Sequence, residues 1–135
     1  MAQQEKRNRE TMQKIYAAMM VGDMETVKSF VADDIVIHEA ESLPYGGLYR
    51  GPSGVDRLAR LIYATWDDID SQLIEVTAGG DRAVALMHFS AKGKRTGKSF
   101  SFPIAEAWRF NKEGKAIEWR PFYFDTKKCC EVYGD

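Results

Sequence analysis

The stretch KSFSFPIAEAWRF, residues 98–110, decides the fold. Phe102, Ile104, Glu106 and Trp108 fall on alternate positions, the period of a strand that turns one face to a core. Runs of the same texture surround it: Gln72 to Thr77, Arg82 to Ala91 and Ala116 to Phe124. Gly79-Gly80-Asp81, a tip from Gly93 to Gly97, and Asn111 to Gly114 separate them, so the four strands read as consecutive hairpins in an antiparallel meander.

The half of the chain before Asp70 is helical. Met12, Ile15, Tyr16 and Met19 recur at helical spacing in a segment from Lys6 to Val21 that stops at Gly22. Asp23 is placed to cap a second helix reaching Val31, with Val27 and Phe30 on its apolar side. A strand from Ile35 to Ala40 follows, then a long loop from Glu41 to Gly51. Pro52 opens a third helix, in which Val55, Leu58, Ile62 and Trp66 keep the spacing. Helices first and strands afterwards predict an α+β domain over residues 1–135, with helices on one face of the sheet.

Composition excludes several classes. The 135 residues carry a formal charge of −1, which gives no footprint for nucleic acid. The cluster Lys92, Lys94, Arg95 and Lys98 reads as a solvated hairpin tip. No apolar run is long enough for a membrane span, and the first residues are polar rather than a leader peptide. The expected location is cytoplasmic. Cys129 and Cys130 are adjacent and read as two free thiols in a reducing compartment. Two histidines, without an HExxH or CxxC pattern, predict no metal site.

Three longer words carry a resemblance: Phe30-Val31-Ala32-Asp33-Asp34 before the first strand, Leu43-Pro44-Tyr45-Gly46-Gly47-Leu48-Tyr49-Arg50-Gly51 before the third helix, and Trp108-Arg109-Phe110 before Gly114-Lys115. With the element order, they make the chain resemble the nuclear-transport-factor-like superfamily, which includes ketosteroid isomerases, limonene epoxide hydrolases and SnoaL-like polyketide cyclases. The resemblance implies a cone in which a curved antiparallel sheet and three helices enclose a pocket. It also implies a homodimer formed through the outer face of the sheet, where Trp119 and Tyr123 are expected. Laid against ketosteroid isomerase, Glu39 occupies the position of the general base and Glu106 that of the neutral acid. Ile15 falls in the place of the oxyanion tyrosine, and Tyr16, one residue on, is the candidate for it. The positions of the epoxide hydrolase's Asp-Arg-Asp machinery fall on Met87, Phe89 and Phe122, which argues against that reaction. The cyclases place an acid/base aspartate on a late strand, which makes Asp125 a further catalytic candidate.

Strand alternation extends the pocket. Glu39 shares a face with Ile37, and Glu106 with Phe102, Ile104 and Trp108. The same lattice sets Met87, Phe89, Arg120, Phe122 and Phe124 inward and His38 and His88 outward. Tyr45 and Trp66 are expected in the wall, with Tyr45 a second possible donor. An inward Arg120 requires a carboxylate partner, Glu106 or Glu39. A greasy cavity of this kind takes a small apolar molecule. Its carboxyls suit a cofactor-independent isomerase, cyclase or lyase working beside a carbonyl. The alternatives are a module that only binds a hydrophobic ligand and one whose role is dimerisation.

Overall fold

Gly22, at φ +72°, ends the first helix because a left-handed residue there breaks the helical path without steric cost. In the computed structural model, which describes residues 2–134, α1 spans Ala2–Met20 and α2 Met24–Ser29, the latter capped by Asp23, whose side chain accepts from the Thr26 amide. Strands β1 (Val31–Glu39) and β2 (Gly47–Arg50) precede α3 (Gly51–Thr65), which carries Pro52 in its first turn. Four long strands follow: β3 (Trp66–Gly79), β4 (Arg82–Gly93), β5 (Ser99–Phe110) and β6 (Ala116–Tyr123). A short helix, α4 (Thr126–Tyr133), comes last. It and β2 were not foreseen.

Among the described residues the six strands form one curved sheet in the order β2-β1-β6-β5-β4-β3. The last four make the expected antiparallel meander, whereas β1 enters beside β6 in parallel. Helices α1 and α3 lie over the concave face, α1 against β3 and β4 and α3 against β1 and β2. Met12, Ile15, Val55 and Leu58 from the helices meet Ile35, Ile37, Trp108 and Phe110 from the sheet in the core. No described helix is long and apolar enough to cross a membrane.

The phase of β6 corrects the sequence reading. Phe110 pairs with Ala116 but Arg109 pairs with Glu118, so Ile117 is an extra residue in a bulge. One extra residue inverts every side chain beyond it. Ala116 is inward, but after the bulge Trp119, Pro121 and Tyr123 are the inward residues. Arg120 and Phe122 stand on the outer face opposite Ala107 and Ala105. Phe122 is 55% exposed, and Phe124, past the end of the strand, is 73% exposed. Trp119 and Tyr123 therefore do not belong to the outer face.

The Pro-Tyr-Gly-Gly loop is built by close approach. A Cβ on Gly46 would lie 2.4 Å from the Ala40 carbonyl oxygen and 2.6 Å from that of Glu41. Gly47 follows at φ +118°. This tight return drives the Tyr45 ring into the core, where its own carbonyl accepts the Tyr49 hydroxyl at 2.6 Å.

Candidate active site

Between the helices and the concave face lies a cavity of about 380 Å³, within the range of small-molecule sites. Its walls are mostly apolar: Val55, Leu58 and Ile62 from α3, and Met87, Phe89 and Ile104 from the sheet. Met19, Met20 and Met24, at the turn between α1 and α2, also line it, together with Tyr63, and Met20 and Tyr63 are half exposed. Glu39, Glu106, Tyr16, Trp119 and Tyr123 supply polar atoms.

The two carboxyls come from the strands on either side of β6. Glu106 pairs directly with Pro121. On the other side Ile37 pairs with Trp119 in the parallel ladder, and continuing that register by two residues brings Glu39 level with Pro121. Both glutamates are buried, at 6% and 8% exposure, and their surroundings differ.

Glu106 is well served. Its Oε1 accepts the Tyr16 hydroxyl and, at 3.2 Å, the indole N–H of Trp119. The Tyr16 oxygen in turn accepts the Trp108 N–H at 3.0 Å. The Trp108 and Trp119 rings stack with centroids 4.4 Å apart, which fixes both donors. Burial raises the Glu106 carboxyl, the two donors pull it back, and it settles at about 7. Glu39 has no such help: its Oε1 is buried without a partner. Burial first, then the charge of Glu106, pushes it well above the usual carboxylate range. Burial likewise pushes the Tyr16 hydroxyl up, so it remains a proton donor.

Of the residues expected here, Glu39, Glu106, Tyr16, Met87, Phe89 and Ile104 line the cavity. Ile37, Phe102 and Trp108 point inward as expected but are packed behind the lining, as are Tyr45 and Trp66. Trp66 begins β3, its backbone N–H closing α3 on Ile62. Arg120 meets neither glutamate; it faces outward with its Nε 3.7 Å from Glu118. Phe122 and Phe124 are outside for the reason given above. Asp125 is exposed and caps α4, accepting from the Lys128 amide at 3.0 Å. His88 does face outward, with Nε2 2.7 Å from the Ser101 hydroxyl.

Trp119 and Tyr123 are the site residues that alternation assigned to the wrong face, and the bulge at Ile117 leaves no mark in a single sequence. The α3 lining, by contrast, is the apolar face already legible in Val55, Leu58 and Ile62. Among the described residues no three His, Cys, Asp or Glu side chains are grouped to share a metal ion.

A family model described as a SnoaL-like domain matches residues 12–119. None of the curated proteins matches the sequence. Among solved structures, an NTF2-like protein from Burkholderia thailandensis superposes with a TM-score of 0.88 at 26% identity, covering 95% of this chain and 98% of its own. TerC, co-crystallised with polyporic acid, gives 0.83 at 20% identity over 96% and 99%. A putative SnoaL-like polyketide cyclase from Jannaschia gives 0.79 at 13% identity over 97% and 94%. At these last two identities the likeness is one of fold.

Proposed function

Because the chain belongs to the SnoaL-like domain family and turns two unequal buried carboxyls into one apolar cavity, we propose that it is a cofactor-independent, isomerase- or lyase-like enzyme acting on a small apolar carbonyl compound. The observation that carries this reading is the contrast in hydrogen bonding between Glu106, with two donors on one oxygen, and Glu39, with a buried oxygen that has none. Donors stabilise an anion, and a bare apolar setting stabilises the neutral acid. Glu106 is thus the group that ionises first, and Glu39 the one that keeps its proton.

This division reverses the one implied by the resemblance to ketosteroid isomerase. The Glu106 carboxylate takes a proton from the carbon beside the carbonyl. The C–H electrons form a C=C bond, and the carbonyl oxygen gathers the charge. Glu39 hydrogen-bonds that oxygen, or lends it a proton that it takes back as Glu106 returns its own proton to carbon. Tyr16 acts on Glu106 rather than on the substrate, since its one proton is committed there. The co-crystal of TerC with polyporic acid supports a small-molecule role for the cavity.

The test uses acetophenone in heavy water, with loss of the methyl proton signal followed by NMR. Wild-type protein is expected to accelerate exchange, and Glu106→Gln to lower the rate about 100-fold or more. Absence of exchange above background sinks the reading and leaves a cavity that only binds.

The outer face supports a homodimer. Leu86, Ala105 and Phe122 lie in one cross-strand row, and Leu86 and Phe122 are exposed, as an unpartnered apolar patch would be. Two free cysteines, one of them buried, fit a cytoplasmic protein.

A further inference from the structure

We infer that Tyr123 is the hydrogen-bond donor that holds the oxygen of the bound molecule, its hydroxyl oriented from behind by Trp66 and Tyr45; in naming that oxygen a carbonyl, the inference rests on the function proposed above. Trp66 gives its indole N–H to the Tyr45 oxygen at 3.0 Å, and the Tyr45 and Tyr123 oxygens are 2.7 Å apart. Of these three residues only Tyr123 lines the cavity.

The direction of the tyrosine pair follows from counting protons. A phenolic hydroxyl has one hydrogen and two lone pairs. Tyr45 is 2% exposed, and among the described residues its hydroxyl has Trp66 and Tyr123 as its partners. If Tyr123 donated to it, the Tyr45 oxygen would accept twice and its own proton would be stranded in the core, where an unpaired donor is costly. With Tyr45 donating, every group behind the wall is satisfied. The proton left over is the one on Tyr123, at the cavity surface. A chain of donors in one direction also polarises the last hydroxyl and strengthens what it gives.

Asp70 and Ser71 also line the cavity, and among the described residues none but Tyr45 is hydrogen-bonded to the Tyr123 hydroxyl. Glu39 Oε1 has no partner, and Glu106 Oε1 is already taken by Tyr16 and Trp119. Tyr16 is no rival donor, because Trp108 occupies its oxygen and Glu106 its proton. The Trp66 ring is held by an edge contact with Phe100, centroids 5.1 Å apart, so the relay starts from a fixed point. Tyr123 lies two residues beyond Pro121 on the same face, near both carboxyls. A ligand that places one oxygen against Tyr123 and Glu39 presents its adjacent carbon toward Glu106. The ligand class this fits is an aryl or alicyclic ketone, or its enol.

The test is the infrared C=O band of carbonyl-labelled acetophenone bound to the protein, which needs no turnover. In wild-type protein the band is expected at lower frequency than in hexane. Tyr123→Phe should move it back up and weaken binding about tenfold. Tyr45→Phe keeps the donor and should retain most of the shift. Replacing Tyr123 with 3-fluorotyrosine, a stronger acid of nearly the same shape, should move the band further down, which gives a reading even if the phenylalanine variant folds poorly. A band unmoved by either change at position 123, an equal loss in Tyr45→Phe, or no acetophenone binding to wild-type protein overturns the inference. A band that depends on Tyr123 in a protein that exchanges no methyl protons removes the acid/base reading alone.

Discussion

The indole N–H of Trp119, on β6, ends 3.2 Å from Oε1 of Glu106, on β5, the same oxygen that receives the Tyr16 proton. Both donors favour the carboxylate, and each lowers a carboxyl that burial has raised. In the proposed reaction the rate should therefore rise with pH through a midpoint near 7, the value for Glu106, and fall once Glu39 ionises at higher pH. Tyr16→Phe should move the rising limb upward by about one pH unit while leaving the plateau rate nearly unchanged. A pH profile of acetophenone exchange reads this directly. An unmoved limb would show that Tyr16 does not set the ionisation of Glu106.

Stability should carry the opposite sign. The unfolded chain ionises its glutamates near 4.5, whereas folded Glu106 waits until about 7. The fold holds protons that the unfolded chain has lost, so the stability from this group is full below 4.5 and declines as pH rises through 7. For Glu106 alone the decline amounts to about 3 kcal/mol. Glu39, raised further by burial and by Glu106, extends the loss to higher pH. Urea unfolding at pH 5 and pH 8 should show wild-type protein weaker at pH 8, and Glu39→Gln weakened less, by the share that belongs to Glu106. Parallel curves for the two proteins would mean that Glu39 is hydrated in the fold.

Phe122 offers a test of assembly that leaves the cavity alone. It is 55% exposed on the convex face, in line with Leu86 across β5. Phe122→Asp should convert a dimer into a monomer in light scattering, with acetophenone binding within twofold of wild type. A wild-type protein that scatters as a monomer at every concentration removes the homodimer.

Gly46→Ala should destabilise the protein by about 1–3 kcal/mol, since the new methyl would have to displace two backbone carbonyls. Chemical denaturation measures the loss. Because Tyr123, and not the loop, carries the donor, the variant should, like Tyr45→Phe, retain most of the infrared shift of bound acetophenone. A stability change below about 0.5 kcal/mol would show that the loop can move aside.

Much of this was legible in the chain. Period-two spacing from Phe102 to Trp108 marked the inward face of β5, and the resemblance to ketosteroid isomerase, with Ile37 on the same face, put Glu39 in the cavity. Helical spacing at Met12, Ile15, Val55 and Leu58 found the layer above the sheet. Alternation failed where its premise of uniform pairing failed: Ile117 adds a residue, and beyond it Trp119 and Tyr123 exchange faces with Arg120 and Phe122. Bulges are set by how a strand fits its neighbours, so the strand's own sequence does not announce them. Hydroxyl and indole partners such as Tyr16 with Trp108, or Tyr45 with Trp66, join residues far apart in the chain, and no local pattern encodes them. Asp125 misled because an aspartate at a strand end serves equally well as the cap of a following helix.

Pro121 has no amide hydrogen, and it lies on an interior strand, where proline is seldom found. The ladder between β1 and β6 stops at Ile37 and Trp119, just before it, while β1 runs on beside β2 as far as Glu39. The ladder between the two strands thus ends beside the carboxyls, at a residue that has no amide hydrogen to extend it. Among relatives, a residue bearing an amide hydrogen at this position would let the ladder close by a further step. Such a protein should hold slimmer molecules than this one, and variation at that single site becomes a way to sort the family by the size of what it accepts.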